Sequence, residues 1–244
     1  MMKCFLLAAF GACVVVPLRA AEGESKIRVL VVTGGHGFEK QPFFRVFEQN
    51  PQISFETVQQ PQAQARFAAG PAKDWDVLVL YDLWQPLTEQ VKADFLALLK
   101  VGKGIVSLHH SLADYQDWEA YGHIIGGKYF LAAGKVDGRD FPASTYKDDV
   151  HFKVEVAAKD HPVTRGVGDF EIVDENYGGL WVDPAATVLL RTAEPTNHPV
   201  LAWARQEQAS RIVYLQLGHG PSAHDDPNFR RLVAQAIRWT AKRE

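Results

Sequence analysis

Cysteine is almost missing from this chain of 244 residues: only Cys4 and Cys13 occur, both near the N-terminus. If that stretch is a cleaved leader, the remaining chain has no thiol nucleophile, no zinc–thiolate site and no disulfide. An excess of basic charge is missing too. The formal charge is −3, and removing residues 1–20 takes away the two cations Lys3 and Arg19 and no acid, leaving −5. That balance argues against nucleic acid or an anionic membrane surface as a partner. Beyond the leader no run of about 18 apolar residues occurs, so no membrane span is expected. Internal repeats and low-complexity segments are absent. So are the metalloprotease spacing H-E-x-x-H and the strained serine elbow G-x-S-x-G, which disfavours acyl transfer by a triad.

The leader itself is MMKCFLLAAFGACVVVPLRA, with a lysine near the start, an apolar run from Cys4 to Val16 and Ala20 at a cleavage point. This pattern predicts a secretory signal peptide over 1–20, disorder to about residue 25 and one folded domain over 26–244. The expected location is therefore outside the cytoplasm, either periplasmic or extracellular. About 220 residues suffice for one α/β domain with a sizeable core.

Hydrophobic patterning supplies the architecture. KIRVLVVTGG (26–35), WDVLVLYD (75–82) and GIVSLH (104–109) are continuous, β-branched runs of the kind buried on both faces of a parallel sheet, whereas ISFETVQ (53–59) alternates. Between them, residues 39–49 and TEQVKADFLALLKVG (88–102) read as helices, the second capped by Thr88 and stopped by Gly102. After a helical stretch near 115–125 comes a glycine-containing segment, 126–150, that reads as irregular. HFKVEV (151–156), DFEIVDENY (169–177), ATVLLRT (186–192), VLAWARQ (200–206) and RIVYLQLG (211–218) then follow as strands joined mainly by turns. A last helix opens with Asp226 as cap and Pro227 in its first turn. The prediction is a mostly parallel sheet flanked by helices, with extra antiparallel strands in the C-terminal half.

Ligands of open parallel sheets bind outside the carboxyl ends of the strands. Those ends carry His36 in TGGHGFE, Asp82 and Trp84 after the third strand, the pair His109–His110 after the fourth, and His219 with His224 in LGHGPSAHDDP. Imidazole in such a crevice can move protons near neutral pH or ligate a metal through a neutral nitrogen. His109 and His110 should alternate across the strand end, so one faces the crevice and the other packs. His123, His151, His161, His198 and His224 read as structural.

The segments TGGHGFE, VLVLYDLWQPLTEQ, GKGIVSLHHSLADYQDWEAYGHIIGG, DHPVTRGV, FEIVDENY and the C-terminal RIVYLQLGHGPSAHDDPNFRRLVAQAIRW, taken in order, resemble the ThuA-like (trehalose utilisation) domain. The similarity spans nearly all of residues 27–241. It implies a flavodoxin-like fold of the class I glutamine amidotransferase-like superfamily without the cysteine nucleophile, hence not a glutamine amidotransferase. It places His109 where those enzymes carry their nucleophile and His219 near their triad histidine. It also adds Asp174, Glu175 and Tyr177 to the site. The family's frequent histidine–proline pair after GG-x-F is missing from KYFLAAGKVDGRD, which points to a different substrate.

The resulting expectation is an exported protein acting on a carbohydrate or keto-sugar derivative, with His109, His219 and Glu175 as the reacting groups. Isomerase, lyase and hydrolase chemistry all suit this set. His36, Asp82, Trp84, His110, Asp174 and Tyr177 would bind substrate, with Trp84 and Trp118 offering stacking faces. A divalent metal held by His109, Glu175 and His219 is the cofactor such a set can take. A non-catalytic carbohydrate-binding or assembly module is the alternative, and the oligomeric state is not legible.

Overall fold

The computed structural model describes residues 25–243. The leader assigned to 1–20, with both cysteines, lies outside the described residues. In chain order the elements are β1 (Ile27–Gly34), α1 (Lys40–Glu48), β2 (Ile53–Gln59), β3 (Val77–Asp82), α2 (Glu89–Lys100), β4 (Gly104–Leu108) and α3 (Glu119–Ile125). Then follow β5 (Gly127–Lys128), β6 (Gly134–Val136), β7 (Arg139–Phe141), β8 (Thr145–Val156), β9 (Phe170–Gly178), β10 (Trp181–Val182), β11 (Thr187–Arg191), β12 (Val200–Glu207), β13 (Ser210–Leu215), α4 (Pro221–His224) and α5 (Pro227–Thr240).

Nine strands form one sheet in the order β2-β1-β3-β4-β13-β12-β11-β8-β9. Its first five strands are mutually parallel, and every pairing from β13 outward to β9 is antiparallel. Alternation along the buried strands divides the core in two. Val29 and Val31 of β1 pack with Phe43 and Phe47 of α1 and with Leu232 and Ile237 of α5 on one face. Leu30 and Val32 pack with Phe95 and Leu98 of α2 and Ile124 of α3 on the other. Helix starts follow their caps: Thr88 Oγ1 accepts from the Val91 N–H, and Asp226 Oδ1 accepts from the N–H groups of Asn228 and Phe229, at 2.8 and 3.0 Å.

Three readings of the sequence change here. The segment 126–150 is ordered into short ribbons, β5 with β10 and β6 with β7, and into the first half of β8. The helix expected near 115–125 occupies only Glu119–Ile125. Strand β4 stops at Leu108, one residue short of the expected end, because His109 opens a 3₁₀ turn that runs to Ala113.

β4 and α5 approach so closely at Gly104 that an added Cβ would lie 2.8 Å from the Thr240 carbonyl carbon and oxygen. Backbone on both sides leaves little room to give. Gly104→Ala is therefore expected to destabilise the fold by roughly 1–3 kcal/mol, seen in urea unfolding as a lower midpoint at unchanged slope.

Candidate active site

β4 and β13 run parallel in register, Leu108 opposite Leu215, so the residues after each leave the sheet at the same edge. His109 follows β4 with φ at +51°, a left-handed conformation that costs a β-carbon residue about 1–3 kcal/mol. Surrounding contacts hold it there. Its Nδ1 lies 2.6 Å from the Gln216 carbonyl oxygen, and its own carbonyl accepts from the Tyr214 hydroxyl at 3.0 Å. Its ring stacks on Tyr177, with centroids 4.9 Å apart. A carbonyl only accepts, so Nδ1 carries hydrogen and Nε2 points toward the cleft.

Three groups meet Nε2 of His109. The Tyr177 hydroxyl lies at 2.8 Å, Glu175 Oε2 at 2.8 Å and His219 Nδ1 at 3.1 Å. His219 Nδ1 is 3.4 Å from the same glutamate oxygen. Burial pushes the Glu175 carboxyl upward, but the two imidazoles outweigh it and hold the group below the ordinary carboxylate range. Glu175 in turn raises His219 above the usual imidazole value, against the effect of burial. Burial lifts the Tyr177 phenol well above its ordinary value, so it stays protonated and donates. These three donor atoms on His109, Glu175 and His219 are also the set that can hold a metal.

Above this floor opens a cavity of about 430 Å³ whose walls include His36, Trp84, His110, Tyr129, Tyr146 and Asp148. His110 is 6 % exposed, and neither ring nitrogen has a hydrogen-bond partner. Burial, reinforced by His109 and His36, pushes it well below the usual imidazole value and keeps it neutral. The His36 ring lies tilted against it with centroids 4.7 Å apart and is itself lowered, mainly by burial. Strand alternation thus fails for the histidine pair. The turn beginning at His109 sends one imidazole to the floor and the other to the wall. Ser107 and Ser111 are fully buried with their hydroxyls 2.7 Å apart, and Ser111 donates to the Leu108 carbonyl, so neither presents a nucleophile.

Asp174 is placed behind the cleft. It is 3 % exposed, and its carboxylate accepts from the main-chain N–H groups of Gly218, His219 and Glu175 at 2.7, 2.9 and 3.0 Å. It positions the two neighbouring site residues and does not line the cavity. Trp84 stands at the rim, 58 % exposed. Trp118 packs against Phe95 and Tyr121 at 5.6 and 6.4 Å and offers no face to the cavity. Tyr129, Leu131, Tyr146 and Asp148 were missed, because all four come from the segment read as irregular. The one available signal was the break of alternation at KDD. There β8 shifts register against β9 and Asp149 turns left-handed, leaving Asp148 Oδ1 3.8 Å from His219 Nε2.

Asp82 departs furthest from expectation. It is fully buried, outside the cavity, accepting from Gln60 Nε2 at 2.6 Å and from the Tyr115 hydroxyl at 3.1 Å. The equally buried Asp114 carboxyl lies against it. Asp114 Oδ1 accepts from the Gln85 N–H at 2.7 Å and so anchors the loop that carries Trp84. Asp82 Oδ1 and Asp114 Oδ2 are both buried without a hydrogen-bond partner, and one proton held between the two carboxyls would satisfy both. Burial raises both carboxyls, and the charge of Asp82 raises Asp114 further.

A carboxyl raised in the folded state stabilises the fold at low pH, and the contribution is lost as pH climbs from the ordinary carboxylate range through the raised folded value. In Asp114→Asn the amide oxygen still accepts from Gln85 and the NH₂ donates to Asp82. The variant should lose this decline and gain roughly 1–3 kcal/mol relative to the parent between pH 4 and pH 8, read from urea unfolding at each pH. An unchanged pH slope would show that the pair shares no proton.

A mixed, mostly parallel sheet flanked by helices defines the class as glutamine amidotransferase-like in fold. Residues 28–240 match the ThuA family, described as trehalose utilisation, and the chain belongs to that family. A ThuA-like protein from Parabacteroides merdae superposes with a TM-score of 0.73 at 17 % identity, over 89 % of this chain and 90 % of that one. One from Bacteroides uniformis gives 0.67 at 18 % identity, over 92 % and 95 %. A glutamine amidotransferase from Thermotoga maritima gives 0.51 at 11 % identity, over 90 % and 100 %. Among curated proteins no relative matches. Among the described residues no helix is long and apolar enough to cross a membrane.

Proposed function

We propose that the protein acts on a carbohydrate in the form of a keto-sugar or keto-glycoside, with the meeting point of His109, Glu175 and His219 as the reacting centre. One observation carries the reading. Two imidazoles from the chain following β4 and β13 and a carboxylate from within β9 converge within 3.4 Å at the floor of a cavity large enough for a sugar. The family's association with trehalose utilisation supports the carbohydrate.

A ketone flanked by hydroxyl-bearing carbons reacts through loss of the proton beside the carbonyl. This needs a group that steadies charge developing on the carbonyl oxygen and a base for the proton. The floor supplies the first requirement. His110, neutral and with both ring nitrogens unpartnered, is the group on the wall with a lone pair to take up the proton or accept from a substrate hydroxyl. From the resulting enolate, reprotonation at the neighbouring carbon isomerises the sugar, while departure of the substituent one carbon further on eliminates it. Trp84 and Tyr146, both exposed at the rim, are suited to stack on the faces of the ring. Export forms part of the proposal and rests on the leader sequence.

The experiment is incubation of the purified protein with a panel of glycosides and 3-keto-glycosides, with product followed by mass spectrometry. Turnover of a keto compound is expected, falling about 10²–10⁴-fold in His109→Ala and in His219→Ala. Sugars bound without any product over hours would make the protein a carbohydrate-binding module. Turnover indifferent to both substitutions would remove the assigned centre.

A further inference from the structure

We propose that His109 Nε2, His219 Nδ1 and Glu175 Oε2 bind one divalent first-row transition cation, of the zinc class, at the floor of the cleft. The inference rests on taking this cleft as the reacting centre, and it says what steadies the charge there. The mutual separations of the three atoms are 2.8, 3.1 and 3.4 Å. Ligands on one face of an ion with bonds of about 2.0–2.1 Å stand roughly 2.9 Å apart in octahedral and 3.4 Å apart in tetrahedral geometry. The observed triangle is close to that range on every edge. No other trio of histidine, cysteine, aspartate or glutamate among the described residues converges in this way.

The contacts point to the same place. His109 Nδ1 is taken by the Gln216 carbonyl at 2.6 Å, so Nε2 is the nitrogen turned toward Glu175 and His219. Binding of a cation would displace the ring hydrogens that otherwise join the imidazoles to the carboxylate.

The support behind the three ligands is of the kind metal sites use. One ring nitrogen of His109 is tied to a backbone carbonyl, which fixes the tautomer and aims the other. A single carboxylate oxygen, Asp174 Oδ1, accepts from the main-chain N–H of both Glu175 and His219 and so sets the spacing of two ligands at once. Two nitrogens with one oxygen suit zinc, iron, nickel or cobalt better than magnesium or calcium, which take oxygen ligands. Three protein ligands leave further positions open toward the cavity, where His110 waits with unpartnered nitrogens. A substrate carbonyl oxygen reaching that open side would be polarised by the ion and flanked by a neutral imidazole.

The test uses untagged protein, stripped with a chelator, dialysed, and titrated with ZnCl₂ by calorimetry and with CoCl₂ by visible absorption. One equivalent of each is expected, with a cobalt d–d band and a rise in melting temperature on zinc addition. Glu175→Gln and His219→Ala are expected to weaken zinc about 100-fold or more and to lose the melting shift. Glu175→Gln keeps the shape of its side chain and His219 is half-buried outside the strands, whereas His109→Ala removes a fully buried ring. His151→Ala, a surface histidine whose ring faces Glu171 and not the cleft, should bind as the parent does. Failure of the parent protein to bind either ion, or parental affinity in both Glu175→Gln and His219→Ala, overturns the site. The two proposals fail separately. Tight zinc with no sugar turnover leaves the cation site standing and removes the functional reading. Undiminished turnover by fully stripped protein leaves the functional reading standing and removes the ion from its chemistry.

Discussion

The hydrogen bond from His109 Nδ1 to the Gln216 carbonyl joins the ends of two neighbouring parallel strands, and the cleft is built on it. It settles which ring nitrogen holds hydrogen. It also turns Nε2 outward and fixes the distance between the chain leaving β4 and the chain leaving β13. The left-handed backbone at His109 is tolerated because this bond, the Tyr214 hydroxyl and the Tyr177 ring together over-determine the position. The turn thereby presents an imidazole to the cleft.

Buried acids organise the two loops that flank this point. Asp174 has no cation against it and instead collects three backbone N–H groups, which compensate the cost of burying its charge and lock the chain from Gly218 to His219. Tyr81 and His224 both reach the Gly218 carbonyl and close the same loop from the opposite side. Asp82 and Asp114 do comparable work across the cleft by fixing the backbone of Gln85 beneath Trp84, but they solve burial by holding a proton. One side of the cavity is thus held by a carboxyl that collects backbone N–H groups and the other by a pair of carboxyls set against each other.

Floor and rim have different physical characters. The floor residues His109, Glu175 and Tyr177 are nearly inaccessible to water, while Trp84, Leu131 and Tyr146 at the rim are large apolar groups left exposed. A buried polar floor strengthens electrostatic interactions through its low local dielectric. An exposed aromatic rim contributes area and shape without constraining the chemistry beneath it. The rim comes largely from the 126–150 segment. Variation there can change the ligand while the floor is kept.

Much of the fold is legible in the sequence because the buried strands are continuous apolar runs and the helices carry caps. The rule that ligands bind at the carboxyl ends of parallel strands was enough to select His36, His109 and His219, and the family resemblance added Glu175 and Tyr177. Side-chain direction was not legible. Asp82 stands at a strand end like the others, yet its neighbours Gln60 and Tyr115, which come from elsewhere in the chain, turn it into the core. The alternation that should have separated His109 from His110 ended one residue early. What the sequence by itself determined was the order of strands and helices and the edge of the sheet that carries the polar groups, since these follow from local periodicity. Which of those groups converge was decided only by tertiary structure, because convergence depends on the register of β4 against β13 and on hydrogen bonds between residues about 40 to 110 positions apart.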